Sequence, residues 1–437
     1  MKGWVKISLI ALGVVVGFFF LLIIIGRTSI FDSNTEDENI SPENLEANQS
    51  NQKCLVPPEF NGTVEDPLVL SARNQNPAHF LKIKGVEFVD IFGRLGGPEF
   101  DINQENPECF PDVMEHVLNG PKRMNANLVG IVPAAFYKQI SPTPKFADWG
   151  NDLSLTDDEY YAKLVKSFKD KGFMVMETEQ PSLGFYTTDE ENAMFDNLTK
   201  NPEWWDAWFT EWEAWLIPRA ERAEANGVDI FNVELWTDSS FKPEVYPEYE
   251  QRWSDIVDHI RKVYSGKIAM MYGNQVSPLG KGIEDKFDVI VIGTFSGWQK
   301  DMTIDGKRIV SDPFNPTLNE LTEAYERTLA SSKNLVPKNK EIILWFGAVS
   351  ADGQQASEDV EVIPTIKPDL QEQALYYEAA FSALQDEKWI DGVIVNRMDW
   401  FDEYKKTKEN IYFDGTRSSS PRSKPAEKVL TYWYGKL

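Results

Sequence analysis

The chain has 437 residues and a formal net charge of −25, and 13% of its residues are aromatic, including 14 Trp. That charge excludes nucleic acid as a partner, because phosphates would be repelled, while the length leaves room for one large barrel or two ordinary domains. With only Cys54, Cys109 and three histidines (His79, His116, His259), a four-cysteine zinc site is excluded, and neither a metal centre nor any other cofactor is expected.

Residues 7–25 form an almost continuous apolar run, preceded by Lys2 and Lys6 and followed by Arg27. The run approaches the ~20 residues that span a bilayer, and no small-residue cleavage site follows it. Residues 1–27 therefore read as an uncleaved signal anchor. The excess of positive charge before the run places the rest of the chain on the extracytoplasmic side of a cell membrane, as a single-pass protein. Residues 28–66 turn to Asp, Glu, Asn, Ser and Pro and bury too little apolar surface to fold, so they read as a flexible acidic linker. Sequons at Asn48, Asn61 and Asn197 are compatible with export. In an oxidising compartment Cys54 and Cys109 are open either to a disulfide or to two free thiols.

The folded part is expected over residues 67–437. Short β-branched runs at 83–90, 127–132, 173–177 and 228–234 are followed by others at 267–272, 287–293, 341–347 and 392–396. Their continuous apolar character suits parallel strands buried on both faces. Helices are expected between them. Thr156-Asp157-Asp158-Glu159 forms a capping box for a helix ending near Lys171-Gly172. Pro202 opens a long helix to about Gly227, and further helices follow over 247–264, 318–331, 369–386 and 426–433. Trp205, Trp208, Trp212 and Trp215 fall on one stripe of the long helix, a spacing that marks core packing. Eight strand–helix repeats predict a (β/α)₈ barrel. An open doubly wound sheet lacks support, because no glycine-rich phosphate loop of the required spacing follows the first strand.

Active sites of such barrels lie at the C-terminal strand ends. Glu234 closes the fourth strand there, and a glutamate ending a buried strand needs a partner or a perturbed pKa, so it is the leading catalytic candidate. Glu179 near the third strand and Asp399 after the eighth are the further catalytic candidates. Glu177, Trp236, Tyr272, Trp298, Trp345, Asn396 and Trp400 are the candidate substrate contacts. The set is rich in carboxylates, amides and aromatic rings and poor in His, Lys and Arg, the balance of a cleft that stacks and hydrogen-bonds sugars. The expected partner is a polysaccharide or oligosaccharide, bound by a monomer.

Several stretches in order give this reading a family. Asn125-Ala126-Asn127-Leu128-Val129-Gly130-Ile131-Val132-Pro133, the run 220–229 followed by Val233-Glu234-Leu235, the helix from Trp253 to Gly266 and Lys424-Pro425-Ala426-Glu427 together resemble glycoside hydrolase family 113, the β-mannanase-like branch of the clan A barrels. The resemblance implies hydrolysis of a β-linked, mannan-type polysaccharide with Glu234 as general acid/base, a role that requires a raised pKa. Two positions depart from the pattern. Asn232 stands where the family has Gly, and Trp345, followed by Phe346-Gly347, occupies the place of the seventh-strand nucleophilic Glu. Retention needs two carboxyls ~5–5.5 Å apart, and inversion needs a pair ~6.5–9.5 Å apart. The sequence therefore leaves three alternatives: a second carboxylate from Asp399, Glu177 or Glu179, a glycan-binding barrel without catalysis, or a structural envelope protein that uses the barrel only as a scaffold.

Overall fold

Eight parallel strands close on themselves in chain order, the last pairing back to the first. The computed structural model describes residues 64–68, 79–88, 110–148, 158–182, 197–234, 245–272, 283–293, 303–304, 307–308, 316–334, 336–350, 352, 367–398 and 418–437. The barrel strands are β1 (Ile83–Phe88), β2 (Leu128–Ile131), β5 (Met174–Ser182), β6 (Ile230–Glu234), β7 (Lys267–Tyr272), β8 (Val289–Gly293), β11 (Glu341–Phe346) and β12 (Gly392–Asn396). All eight fall on runs picked out in the sequence. No helix among the described residues is long and apolar enough to cross a membrane. Residues 7–25, the linker up to residue 63, Cys54 and Cys109 lie outside those described.

The outer ring consists of α1 (Phe110–Arg123), α2 (Asp158–Asp170), α3 (Pro202–Asn226), α4 (Tyr249–Val263), α5 (Leu318–Lys333), α6 (Leu370–Leu384) and α7 (Pro425–Lys436). Local chemistry sets their ends. The Asn201 side chain accepts the Glu203 amide, with Pro202 in the first turn of α3. Thr317 and Glu320 form a reciprocal capping box at α5. The carboxylate of Asp369 accepts the amides of Gln371 and Glu372 at α6. Two features were not anticipated: α1, and a hairpin of β3 (Ala134–Gln139) and β4 (Lys145–Asp148) whose first strand runs parallel to β5 and extends the sheet beyond the closed barrel. A second small hairpin joins β9 (Thr303–Ile304) to β10 (Lys307–Arg308).

Strand parity divides the core in two. Ile83, Leu128, Met176, Ile230, Ala269, Met271, Val289, Val291, Ile343, Trp345 and Ile394 fill the barrel interior, while alternate residues such as Val86, Val175, Phe231 and Val393 meet the helices. The tryptophan stripe of α3 packs as expected. Trp205, Trp208 and Trp212 are fully buried, with Phe146 of β4 against Trp208, Trp212 and Trp215. Trp204 is also buried, and its indole donates to the Ile140 carbonyl beyond β3 at 2.9 Å. The α3 aromatic surface is therefore wider than one stripe, because the helix covers the added hairpin as well as the barrel.

At the N-terminal end of the barrel one device recurs. The residue before β2, Asn127, accepts the Lys84 amide of β1 at 2.8 Å. Asp229 before β6 accepts the Val175 amide of β5 at 2.7 Å, Asp288 before β8 the Ile268 amide of β7 at 2.9 Å, and Asp391 before β12 the Ile342 amide of β11 at 3.0 Å. Each satisfies an amide that the neighbouring strand's ladder leaves over and so fixes the stagger of a strand pair. Closure is completed by α7, whose Tyr434 hydroxyl donates to the Gly85 carbonyl at 2.7 Å, and by Leu81, whose amide bonds the Leu437 carbonyl at 2.7 Å.

Candidate active site

Side-chain parity decides which strand-end residues reach the cleft. On β6, Ile230 faces the barrel interior and Phe231 and Val233 face the helices, so Asn232 and Glu234 point inward. Glu234 is the last residue of its strand, half-buried, and stands beside Met271 of β7 in the pairing register. Glu234 therefore stands at the C-terminal end of the fourth barrel strand with inward parity. Asn396 is also inward, next in parity to Ile394 and beside Glu87 of β1. It is 5% exposed, and its Oδ1 has no hydrogen-bond partner among the described residues.

Glu177 and Glu179 lie elsewhere. The predicted third strand ended at 177, whereas β5 runs on to Ser182, so both glutamates are mid-strand and share the outward parity of Val175. Glu177 accepts from the Tyr161 hydroxyl and pairs with Arg222 at 3.3 Å, and that guanidinium stacks on the Tyr161 ring at 4.0 Å. Glu179 accepts from the Trp215 indole at 2.9 Å and faces Arg219 at 3.5 Å. Burial pushes the Glu179 carboxyl up; Arg219 opposes the shift and Glu177 adds to it. Both acids are fully buried between sheet and helices. This corrects the expectation that Glu179 is catalytic and Glu177 contacts substrate: they tie β5 to α2 and α3.

Tyr272 is corrected for the same reason. It has the outward parity of Met270, is fully buried, and donates to Glu284 at 2.7 Å. Trp345 does face inward, but as part of the interior cluster, 8% exposed, with its indole N–H donated to Glu87 at 2.5 Å. Gly347 follows it where the backbones of β11 and β12 converge. A Cβ there would lie 1.8 Å from the Asn396 carbonyl oxygen, so only glycine fits. Trp236, Trp298, Asp399 and Trp400 lie outside the described residues.

The acid that sequence reasoning missed is Glu87. It is 1% exposed and shares the interior parity of Ile83 on β1. Burial pushes its carboxyl up to about 7, against the hydrogen bonds from Trp345 and Thr178. Thr178 of β5 donates to it at 3.4 Å, and Asn232 of β6 donates in turn to Thr178 at 3.2 Å. Among the described residues, Glu87 and Glu234 are the acids with interior parity in the C-terminal half of the barrel. No metal is needed to explain them. Among the described residues one acidic cluster has ligand-like spacing, Asp352, Asp369 and Glu372 within 4.8 Å, and it includes the carboxylate that already caps α6.

Residues 114–414 match the sequence pattern of Glycoside Hydrolase Family 113. The chain belongs to that family. Among solved structures it is similar to a family 113 β-1,4-mannanase, with a TM-score of 0.53 and 19% identity over 81% of this chain and 98% of that one. A family 113 β-mannanase from Alicyclobacillus acidocaldarius, solved in complex with ManMIm, gives 0.52 and 18% over 81% and 97%. A family 5 mannosidase from Rhizomucor miehei gives 0.51 and 13% over 82% and 93%. At these identities the structures speak for the shared barrel fold. No curated protein sequence matches. Family membership makes this a β-mannanase-like glycoside hydrolase chain, built on a barrel whose seventh strand carries an indole into the interior cluster.

Proposed function

We propose that this family 113 chain hydrolyses a β-linked, mannan-type polysaccharide, with Glu234 as the general acid. The observation that carries this reading is the inward, half-buried place of Glu234 at the C-terminal end of the fourth barrel strand. Since Trp345 replaces the seventh-strand carboxylate, the chemistry is inversion. Asp399, three residues beyond the end of β12 in the sequence, is the base that activates water; an inverting pair of this kind works at a carboxyl separation of ~6.5–9.5 Å. Asn396 and the strand-end tryptophans Trp236, Trp298 and Trp400 hold the sugar. The barrel works as a monomer outside the cell membrane, anchored by residues 7–25 through the acidic linker.

A second reading, a surface-tethered glycan binder without turnover, is favoured by the Trp345 indole itself, which takes up the place of a nucleophile. Incubating the full-length chain with mannan, glucomannan, galactomannan, xylan and cellulose, and assaying reducing ends beside Glu234→Gln, separates the two. Release from the mannans by the parent and not by the variant supports hydrolysis. Retention on mannan with no release by either protein supports the binder, and no interaction with any mannan sinks both.

A further inference from the structure

The two departures from the family pattern, Asn232 and Trp345, are the two ends of one hydrogen-bonded chain. It runs from Asn232 to Thr178 at 3.2 Å, from Thr178 to Glu87 at 3.4 Å, and from the Trp345 indole to Glu87 at 2.5 Å. It crosses the barrel interior from β6 through β5 and β1 to β11, with Glu234 two residues beyond one end and Gly347 two beyond the other. Room for the central carboxyl comes from Gly130 of β2, where a Cβ would sit 3.1 Å from the Glu87 Cγ. We propose that Glu87 is a positioning residue of the glycan cleft: it locks Trp345 as the fixed floor against which a sugar ring beside Glu234 rests.

The physical case starts from what an indole at that place requires. Trp345 packs among the interior apolar residues at 8% exposure, and a buried indole N–H without an acceptor is costly. Glu87 supplies that acceptor, charge-assisted once its carboxyl ionises, and the acceptor holds the ring plane by its edge. Thr178 orients the carboxyl from the opposite side, so Glu87 cannot turn away without breaking two bonds. The side chains beside it from each packed strand are uncharged: Gly130 of β2, Thr178 of β5, Trp345 of β11 and Asn396 of β12. Arg397 and Glu234 follow or end strands at the same end of the barrel, and neither is among the causes of the raised pKa of Glu87. Protonation of Glu87 therefore changes the acceptor seen by Trp345 with little interference from other charges.

This inference rests on the reading of the cleft as a mannan site, and its test has one arm that does not. Full-length protein labelled with 5-fluorotryptophan would give a Trp345 resonance assigned by its loss in Trp345→Phe. In the parent that resonance should titrate with a midpoint near pH 7 between pH 5 and 9, and in Glu87→Gln it should not titrate. The second arm is mannohexaose affinity by calorimetry. Glu87→Gln, which keeps an acceptor, should bind within about threefold of the parent, whereas Glu87→Leu should bind at least tenfold more weakly, and mannohexaose should shift the Trp345 resonance. A Trp345 resonance that ignores pH in the parent, or sugar binding that leaves it unmoved, overturns the proposal while leaving the mannan reading intact. So does an equal affinity in Glu87→Leu. If the parent binds no mannan oligosaccharide, the cleft reading fails and the floor role with it, and the pH arm still decides whether Glu87 locks Trp345.

Discussion

Replacing Glu87 by Gln should make the protein's stability less dependent on pH, in one direction and by a calculable amount. The ordinary value of the carboxyl is 4.5 and its folded value is about 7, so the folded state holds the proton more tightly than the unfolded state does. The stability this contributes is fully present below pH 4.5 and is lost as the pH rises through 7. At ~1.4 kcal/mol per pH decade the loss amounts to roughly 3 kcal/mol. Glutamine stays neutral throughout and still offers an acceptor to the Trp345 indole. The variant-minus-parent difference should therefore grow from pH 4.5 and level off above pH 8, with the variant gaining roughly 3 kcal/mol on the parent. Urea unfolding of both full-length proteins, followed by tryptophan fluorescence at intervals from pH 4.5 to 8.5, reads this difference directly. Other buried acids, Glu179 among them, titrate in both proteins and cancel. A constant offset between the curves would measure only a packing change. Curves that stay parallel across this range would refute the reasoning, because Glu87 would then titrate alike in the folded and unfolded chains.

Glu234→Gln should lower reducing-end release from mannan by at least ~10²-fold, the usual contribution of a general acid, with the melting temperature unchanged. Arg222→Met should cost roughly 3–5 kcal/mol, seen as a lower urea midpoint, because Glu177 would stay fully buried without its guanidinium; a midpoint equal to the parent's would contradict the pairing. Asp229→Ala removes the acceptor of the Val175 amide and should cost about 1–3 kcal/mol. Hydrogen exchange at Val175 should accelerate relative to the amides of β11 on the far side of the barrel.

The eight strands were legible because strands buried on both faces leave continuous apolar runs, and short runs at regular spacing admit few folds. The same property hid the site. In a run such as Val175-Met176-Glu177-Thr178-Glu179, both faces are buried, one by the barrel interior and one by helices, so nothing in the sequence says which parity faces the cleft. Sequence reasoning took the two glutamates and passed over Thr178, although Thr178 is the residue aimed at Glu87. It placed the end of the first strand at Asp90 and so overlooked Glu87, which sits between two apolar neighbours and reads as an interruption of a strand. Tyr272 was misplaced for the same reason of parity. The Asn and Asp residues ahead of β2, β6, β8 and β12 carried a signal that could have been used. Their recurrence before alternate strands marks where each strand begins, and counting by twos from there gives the parity.

Glu87 also changes what the seventh-strand substitution means. Taken alone, Trp345 looks like a lost nucleophile that one reverse mutation would restore. In the folded chain a glutamate returned to position 345 would project towards a carboxyl that now spends its hydrogen-bonding capacity on the indole N–H and Thr178. Two acids sharing that buried space cannot both ionise cheaply, so one would be held protonated. The removal of the indole would also open a void in the interior cluster. Restoring a ionised nucleophile on β11 therefore requires a change at Glu87 as well. The indole at 345 and the carboxyl at 87 stand or fall as a pair, and that coupling makes the departure at the seventh strand a built feature of this cleft.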